Sequence, residues 1–264
     1  MQILDFIILG IIQGLTEFLP VSSSGHLVLA QNILGMNPHG VTTEIVLHLA
    51  TLISVLVVYG RDLLDLLRQG RWNYIGAMAL ATVVTAALAL PFKDRIEAMV
   101  DGPQAVHYVG IFLLVTAGLL LLAEFVEKRL KAVPGPDPLE TPGWGRALAG
   151  GIAQAVAVMP GISRSGSTIS MMLLLGLDYG RAARFSFLLS VPAILGAVVL
   201  SLPDMAADTA SGNVPFAGLL AGFIAAAVCG VLAIRFLLTL LRKRRLYYFS
   251  IYCAAVGIWA LLAN

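Results

Sequence analysis

The amino-acid sequence predicts an all-α polytopic membrane protein with six transmembrane helices and two re-entrant helical hairpins in an inverted-topology repeat. Three observations predict this fold class. The 264-residue chain is 59% hydrophobic and only 12% charged, whereas soluble domains carry about 25% charged residues. Six segments are long and apolar enough to cross about 30 Å of hydrocarbon. Two further apolar regions are each interrupted by a polar, serine-rich loop.

The six predicted spans follow one another along the chain with mostly short connections. They lie at 43–60, 73–91, 105–123, 184–202, 214–234 and 246–263. The longest connection, 126–146, contains the linker-like stretch "VPGPDP". We expect this linker to join two halves, about 1–125 and 147–264, of a single membrane domain.

Each predicted half begins with a broken apolar region. In the first half, 3–19 is followed by a serine loop and then by 27–35. In the second half, 147–159 is followed by "PGISRSGST" and then by 169–177. Most of these arms are too short to cross the bilayer alone, and irregular polar backbone at membrane depth is tolerated only where protein or a wet cavity surrounds it. Both regions are therefore predicted to be re-entrant hairpins.

Two short matches relate the halves at one constant offset. "GIIQ" at 10–13 recurs as "GIAQ" at 151–154, and "SSSG" at 22–25 recurs as "SRSG" at 163–166, both 141 residues later. One hairpin followed by three spans makes an odd number of crossings, so the second half would be inverted. Broken helices of inverted repeats meet near the bilayer midplane. The sequence thus predicts a functional site where the two hairpins meet.

Lysine and arginine predict the orientation of the chain, because they concentrate in connections on one side of the predicted bundle. The positive-inside rule makes that side cytoplasmic. Both termini are then expected on the outer face, with the first hairpin entering from outside and the second from inside. The basic residues are Arg61, Arg68, Arg71, Lys128, Arg129, Lys131, Arg146, Arg181, Arg184, Arg235, Arg242, Lys243, Arg244 and Arg245.

Ionisable residues inside the apolar regions are candidates for function, because each costs several kcal/mol in a bilayer. Gln13 and Glu17 are four residues apart and share one helix face. Arg164 offers a planar fork of donors for phosphate oxygens. For Glu44 and His48, a functional role and a place at the rim are equally compatible with the sequence. The candidates are Glu17, His26, Glu44, His48 and Arg164.

The two serine loops are suited to binding a phosphate group. Ser23 or Ser24 is expected to cap the second arm of the first hairpin, and Ser165 or Ser167 that of the second. Such turns direct free backbone N–H groups and a positive helix end at one point. By contrast, Glu124 and Glu127, next to basic residues, are expected to form only a solvated helix end.

The stretches "QGLTEFLPVSSSGH" (13–26) and "PGISRSGST" (160–168) carry a family resemblance. They resemble the two signature motifs of undecaprenyl-diphosphate phosphatases of the bacitracin-resistance type, which read [E/Q]xxxE followed by PxSSxGH, and PGxSRSxxT. The resemblance extends through "FSFLLSVPA" (185–193) and covers nearly the whole chain. Many members have Glu at the first motif position, where this chain has Gln13, so metal binding would depend more on Glu17.

The resemblance implies an enzyme of the bacterial cytoplasmic membrane. Such an enzyme hydrolyses undecaprenyl diphosphate to undecaprenyl phosphate and inorganic phosphate, which recycles the lipid carrier for peptidoglycan synthesis and confers bacitracin resistance. It implies a divalent cation, Mg²⁺ or alternatively Ca²⁺, and a site open to the outer face. The implied partners are a long-chain isoprenoid diphosphate and membrane lipids, with no nucleic acid, and a homodimer is the assembly that the family suggests.

Residue roles follow from the matching motif positions. The implied catalytic residues are Glu17, Ser23, His26 and Arg164, and Glu17 would also bind the metal. Either Ser23 attacks the terminal phosphorus with His26 as its base, or His26 activates a water; the resemblance favours Ser23. The implied substrate-binding residues are Gln13, Ser22, Ser24, Gly25, Gly161, Ser163, Ser165, Gly166 and Thr168.

Three other classes of protein are alternatives to a phosphatase. A secondary transporter or lipid-phosphate flippase would share the inverted repeat and broken helices, but it does not need a Ser, His, Glu and Arg set. A Ser–His intramembrane protease would need neither Arg nor Glu at its serine and would act without metal. A purely structural protein would have no reason to keep costly polar groups in the membrane.

Overall fold

The computed structural model describes residues 3–34, 41–130, 135, 137–210 and 215–263, and all regular structure in these ranges is helical. The chain is therefore an all-α polytopic membrane protein, as predicted. Its helices are α1 (Ile3–Phe18), α2 (Ser23–Leu34), α3 (Val41–Arg68), α4 (Trp72–Ala89), α5 (Lys93–Asp101), α6 (Ala105–Leu130), α7 (Trp144–Val156), α8 (Arg164–Leu174), α9 (Tyr179–Ala210), α10 (Phe216–Arg242) and α11 (Tyr247–Leu262), with a 3-10 turn at Leu90–Phe92.

Five helical segments are long and apolar enough to cross a membrane: Val41–Arg68, Trp72–Asp101, Ala105–Leu130, Tyr179–Asp208 and Phe216–Arg242. They contain the first four predicted spans, and the fifth begins at Phe216, whereas its predicted start at 214 lies outside the described residues. The sixth predicted span is α11, an apolar helix of 16 residues, shorter than the roughly 20 residues that a crossing usually takes. Most helices continue past the predicted ends of their spans. The predicted ends mark where the sequence becomes polar, and a helix can continue through such residues outside the membrane.

Both predicted interruptions are present, and each is a turn between two short helices. In the first, α1 ends at Phe18, two residues before Pro20, and α2 begins at Ser23. In the second, α7 ends at Val156 and α8 begins at Arg164. Proline ends a helix because it lacks the N–H donor and clashes with the preceding turn. The first residues of α2 and α8 are separated by the same 141 positions as the sequence matches.

Helix packing in the two parts of the chain is reciprocal: α1 packs on α10, and α7 packs on α4. A Cβ on Gly10 would collide with the backbone of Gly222, and one on Gly151 would collide with that of Ala81. Ala81 and Gly222 are again 141 residues apart. Two related halves would make such contacts, although the division of the chain stays a prediction. The expected linker at 126–146 is helical at both ends, because α6 runs to Leu130 and α7 begins at Trp144.

The expectation of a solvated helix end at Glu124 and Glu127 is wrong. Both side chains are buried in contact with a distant part of the chain, where α10 ends and α11 begins. Glu124 accepts a hydrogen bond from the Tyr247 backbone N–H at 2.6 Å, so its carboxylate stabilises the N-terminal turn of α11. Glu127 lies 3.4 Å from the Arg244 guanidinium. These carboxylates hold the helix ends together.

Candidate active site

The two hairpin turns meet through backbone-to-backbone contact at Gly25 and Gly161. A Cβ added to Gly25 would lie 3.1 Å from the Gly161 Cα. Gly161 has φ +104°, a left-handed conformation that favours glycine, and a Cβ there would lie 2.7 Å from the Val109 carbonyl oxygen. Glycine at both positions therefore allows the turns to approach, as the predicted meeting of the hairpins requires.

Ser22 joins the two turns and caps α2. Its Oγ accepts a hydrogen bond from the Gly161 N–H at 3.1 Å and a weaker one from the Gly25 N–H at 3.4 Å. Ser163 caps α8 in the same way, because its Oγ accepts from the Gly166 N–H at 3.0 Å. In both hairpins the capping residue is therefore the serine just before the first helical residue. For the first hairpin, the expectation that Ser23 or Ser24 caps the helix is wrong.

The same correction applies to the second hairpin, where neither Ser165 nor Ser167 is the cap. The Ser165 hydroxyl instead donates to the Leu19 carbonyl at 3.2 Å, which adds a second bond between the hairpins. Thr116 of α6 braces the second turn: its hydroxyl donates to the Gly161 carbonyl at 2.9 Å and accepts from the Ser163 N–H at 3.1 Å. No motif marks Thr116; a polar residue within an apolar span is the only signal for it.

Glu17 is the centre of the site and is only 7% exposed. Its Oε1 lies 2.7 Å from Arg164 Nη2. Its Oε2 accepts hydrogen bonds from Ser23 Oγ at 2.6 Å and Gln13 Nε2 at 3.0 Å. His48 Nε2 lies 3.8 Å from the same oxygen. The structure therefore brings together Gln13, Glu17, Ser23 and Arg164 from the predicted set and adds His48, whose role the sequence left open.

Arg164 is oriented by the chain around it. Its Nη1 lies 3.5 Å from the Ser186 carbonyl of α9, and the Thr168 hydroxyl donates to the Arg164 carbonyl at 2.9 Å. The Thr168 and Ser186 hydroxyls are also hydrogen-bonded to each other. Thr168 thus supports the arginine from within the motif. Ser186, in the "FSFLLSVPA" stretch, is a second buried residue that inspection of the two motifs did not single out.

His26 faces away from Ser23. Its Nδ1 lies 2.8 Å from the Ser22 carbonyl, and because a carbonyl only accepts, Nδ1 is the donor. Its Nε2 lies 2.8 Å from the Tyr252 hydroxyl, which donates to it, and the two rings stack with centroids 5.5 Å apart. In the described part of the chain, Ser23 is hydrogen-bonded to Glu17 and not to His26, so the expected serine–histidine pair is not formed. Tyr252 was missed because nothing in its apolar surroundings marks it.

The structure places Glu44 and His48, whose roles the sequence left open, in different surroundings. The His48 Nδ1 donates to the Glu44 carbonyl at 2.9 Å, which leaves Nε2 free to face Glu17. The Glu44 side chain is exposed. His48 therefore belongs to the site, and Glu44 lies at its rim.

Comparison with known proteins identifies the family of the chain. Residues 6–259 match the family model described as Bacitracin resistance protein BacA. The chain belongs to this family. Both motifs, 13–26 and 160–168, lie within the matched region.

Several curated relatives, each named Undecaprenyl-diphosphatase, are similar along nearly their whole length. The protein from Christiangramia forsetii is 40% identical over 99% of this chain and 98% of its own. The protein from Halothermothrix orenii is 42% identical over 99% and 98%, and that from Carboxydothermus hydrogenoformans is 41% identical over 97% and 95%.

The donor set at the centre of the site fits a hard divalent cation. Among the described residues there is no group of three or more His, Cys, Asp or Glu side chains that would make a closed metal cage. However, Gln13 Oε1 is buried beside Glu17 and has no hydrogen-bond partner in the described chain. Mg²⁺ needs only one or two protein oxygens, because waters and substrate phosphates complete its shell. Glu17 and Gln13 supply such oxygens.

Proposed function

We propose that this chain hydrolyses undecaprenyl diphosphate to undecaprenyl phosphate and inorganic phosphate. The names of its relatives support this substrate. The observation that carries the proposal is the cluster that the buried Glu17 forms with the partly exposed Ser23 and Arg164, at the meeting point of two helix N-termini. Phosphoryl transfer depends mainly on positioning and charge stabilisation, and this cluster supplies both. A transporter would not need a serine hydroxyl bonded to a buried carboxylate.

The diphosphate would bind where α2 and α8 begin. In the described chain, the backbone N–H groups of Ser23, Ser24, Arg164 and Ser165 make no backbone hydrogen bond. Free N–H groups and the positive ends of two helices favour an anion. Arg164 adds its planar guanidinium, which can share its donors between Glu17 and phosphate oxygens. The isoprenoid tail would lie between helices in the membrane.

Ser23 is the proposed nucleophile. Its Oγ would bond to the terminal phosphorus, the bond from phosphorus to the bridging oxygen would break, and the lipid monophosphate would leave. The Ser23 proton would pass to Glu17, which already accepts that hydrogen bond at 2.6 Å. Water would then hydrolyse the phosphoserine and release phosphate. A water activated by His26 is the second candidate, and it requires Nε2 to exchange its hydrogen bond from Tyr252 for one from water, while Nδ1 keeps its bond to Ser22.

A divalent cation, Mg²⁺ or Ca²⁺, is part of the proposal. Glu17 and Gln13 Oε1 would hold it together with phosphate oxygens and waters. When bound, the cation would neutralise charge that develops on the phosphate group. The amide of Gln13 adds no negative charge, so removal of the Glu17 carboxylate should abolish metal binding.

We further propose that the protein resides in the bacterial cytoplasmic membrane as two inverted halves, with both termini and the site open to the outer face. Recycling of the lipid carrier would support peptidoglycan synthesis and bacitracin resistance, and a homodimer is the proposed assembly. Cysteines introduced near positions 98 and 208 should react with an impermeant reagent outside the cell, and those near 66 and 137 should not. The reverse labelling pattern would refute this orientation.

The test of the activity is phosphate release by the purified protein from undecaprenyl diphosphate, with and without EDTA. We expect release that EDTA abolishes. Glu17→Gln should lower it by at least about a hundredfold, the size of effect of losing a buried transition-state contact. Glu44, the exposed carboxylate at the rim of the site, provides a matched control, and Glu44→Gln should retain activity. Transport without phosphate release, or turnover that is insensitive to EDTA, would contradict the proposal.

A further inference from the structure

A polar cavity lies at the opposite end of α3 from the active site. Its volume is about 280 Å³, and residues of α3, α9 and α10 line it. His48 marks the active-site end of α3, and Asp62 in the cavity is 14 residues further along. At 1.5 Å per residue this corresponds to about 21 Å. The cavity is therefore separate from the Glu17 cluster.

The cavity carries excess positive charge. Arg184 and Arg242 both line it, against one carboxylate, that of Asp62. Arg184 Nη1 lies 2.9 Å from Asp62 Oδ2, and its guanidinium lies 5.8 Å from the centre of the Tyr59 ring. A guanidinium has five N–H donors, and Asp62 is the only acidic partner of Arg184 in the described chain. Arginine donors therefore remain for an anion.

The rest of the lining combines a hydroxyl donor with apolar walls. Tyr59 is 4% exposed, and its hydroxyl makes no hydrogen bond among the residues that the structure describes. Val58, Leu238 and Leu241 form the apolar side. An ion pair that served only to join α3 and α9 would need neither the second arginine nor the space beside it. The lining is instead suited to an anionic head that is attached to a chain.

We propose that this cavity binds the phosphate headgroup of an anionic membrane phospholipid. Arg184 and Arg242 would contact the phosphate oxygens, because guanidinium forks match phosphate geometry. The Tyr59 hydroxyl would donate a further hydrogen bond, and the first carbons of the lipid would lie against Leu238 and Leu241. Basic pockets between transmembrane helices recognise lipid headgroups in this way. This site would hold a lipid of the surrounding bilayer and perform no chemistry on it.

The experiment is native mass spectrometry of the full-length protein in detergent, after incubation with phosphatidylglycerol or with phosphatidylcholine. The wild-type protein should retain phosphatidylglycerol at least about tenfold better, because phosphatidylcholine carries no net charge. Arg242→Gln should reduce this retention by about tenfold, the effect of losing one charge-assisted hydrogen bond. Arg235→Gln is the matched control: this arginine is exposed on the same helix but outside the cavity, and its loss should leave retention unchanged.

Three results would overturn the proposal. Equal retention of the two lipids would remove the headgroup charge from recognition. Equal losses in Arg242→Gln and Arg235→Gln would mean that general surface charge, and not this cavity, attracts the lipid. Displacement of phosphatidylglycerol by equimolar inorganic phosphate would identify a site for free phosphate, because the apolar wall would then contribute nothing.

Discussion

Replacing Ser22 with alanine would remove one of the side-chain atoms that join the two hairpin turns. Its Oγ accepts from the Gly161 N–H at 3.1 Å and from the Gly25 N–H at 3.4 Å. Alanine would leave the first donor buried without an acceptor, which costs about 1–3 kcal/mol. For a chain of this size each kcal/mol lowers the melting temperature by about 2–4 °C. We expect the melting temperature of Ser22→Ala to fall by about 2–12 °C.

Two comparisons separate the hydroxyl from other effects. Ser24→Ala is the control, because among the described residues that side chain makes only one hydrogen bond, a long one to the Ser22 Oγ at 3.4 Å, and this variant should melt like the wild-type protein. Ser22 also has φ +71°, a conformation that costs about 1–2 kcal/mol for a residue with a Cβ. Ser22→Gly loses the hydroxyl but relieves this strain, so it should be intermediate in stability.

The assay is thermal unfolding of the detergent-purified variants, measured beside phosphate release. Because the turns position Ser23 and Arg164, activity should fall in the same order as stability. If Ser24→Ala were as damaging as Ser22→Ala, the contact between the hairpins would not depend on the Ser22 hydroxyl. If Ser22→Gly were less stable than Ser22→Ala, the strain argument would be wrong.

Three further substitutions test the active site by the rate of phosphate release. Arg164→Lys should be nearly as damaging as Arg164→Ala, a loss of about 3 kcal/mol or more in transition-state stabilisation, because lysine lacks the fork; a largely active lysine variant would contradict this. Ser23→Ala should abolish release and prevent a trapped phosphoserine in quenched mass spectrometry, whereas a roughly tenfold loss would favour an attacking water. Tyr252→Phe removes one hydrogen bond to His26, worth about 1 kcal/mol; a fall of about fivefold is expected, and a loss as large as that of His26→Ala would show that the phenol itself is essential.

Much of the fold could be predicted from sequence because hydropathy and proline report directly on the membrane environment. The breaks between helices were located by Pro20 and by the "PG" at 160–161. Helix ends were less predictable. Hydropathy predicts that the third helix ends at 60, but α3 continues to Arg68, because a helix can continue into water beyond the membrane surface with basic side chains on its last turns. The burial of Glu127 could not be predicted, because its ionic partner, Arg244, lies in a distant connection between α10 and α11.

The site was predictable in composition but not in its hydrogen bonds. Gln13 and Glu17 were correctly placed on one helix face, because their spacing sets this within a single helix. The hydrogen-bond partner of Ser23 was not predicted correctly. Ser23 and His26 are three residues apart near a helix start, and this spacing does not determine which way the histidine ring points. His26 is instead held by Tyr252, which is 226 residues away. Sequence spacing gives neighbours within a helix, whereas the choice between acceptors depends on the tertiary structure.

The ion pair between Glu17 and Arg164 has a consequence for the order in which the protein is made. Its two partners are separated by 147 positions, and ribosomes add about 5–20 residues per second. Glu17 therefore leaves the ribosome roughly 7–30 s before its partner. During this interval the first hairpin carries an acid in the bilayer with no arginine beside it. The catalytic cluster is accordingly a late product of biogenesis, and a chain that terminated before the second hairpin would carry Ser23 and Glu17 into the membrane without Arg164 and the start of α8, the other half of the proposed phosphate site.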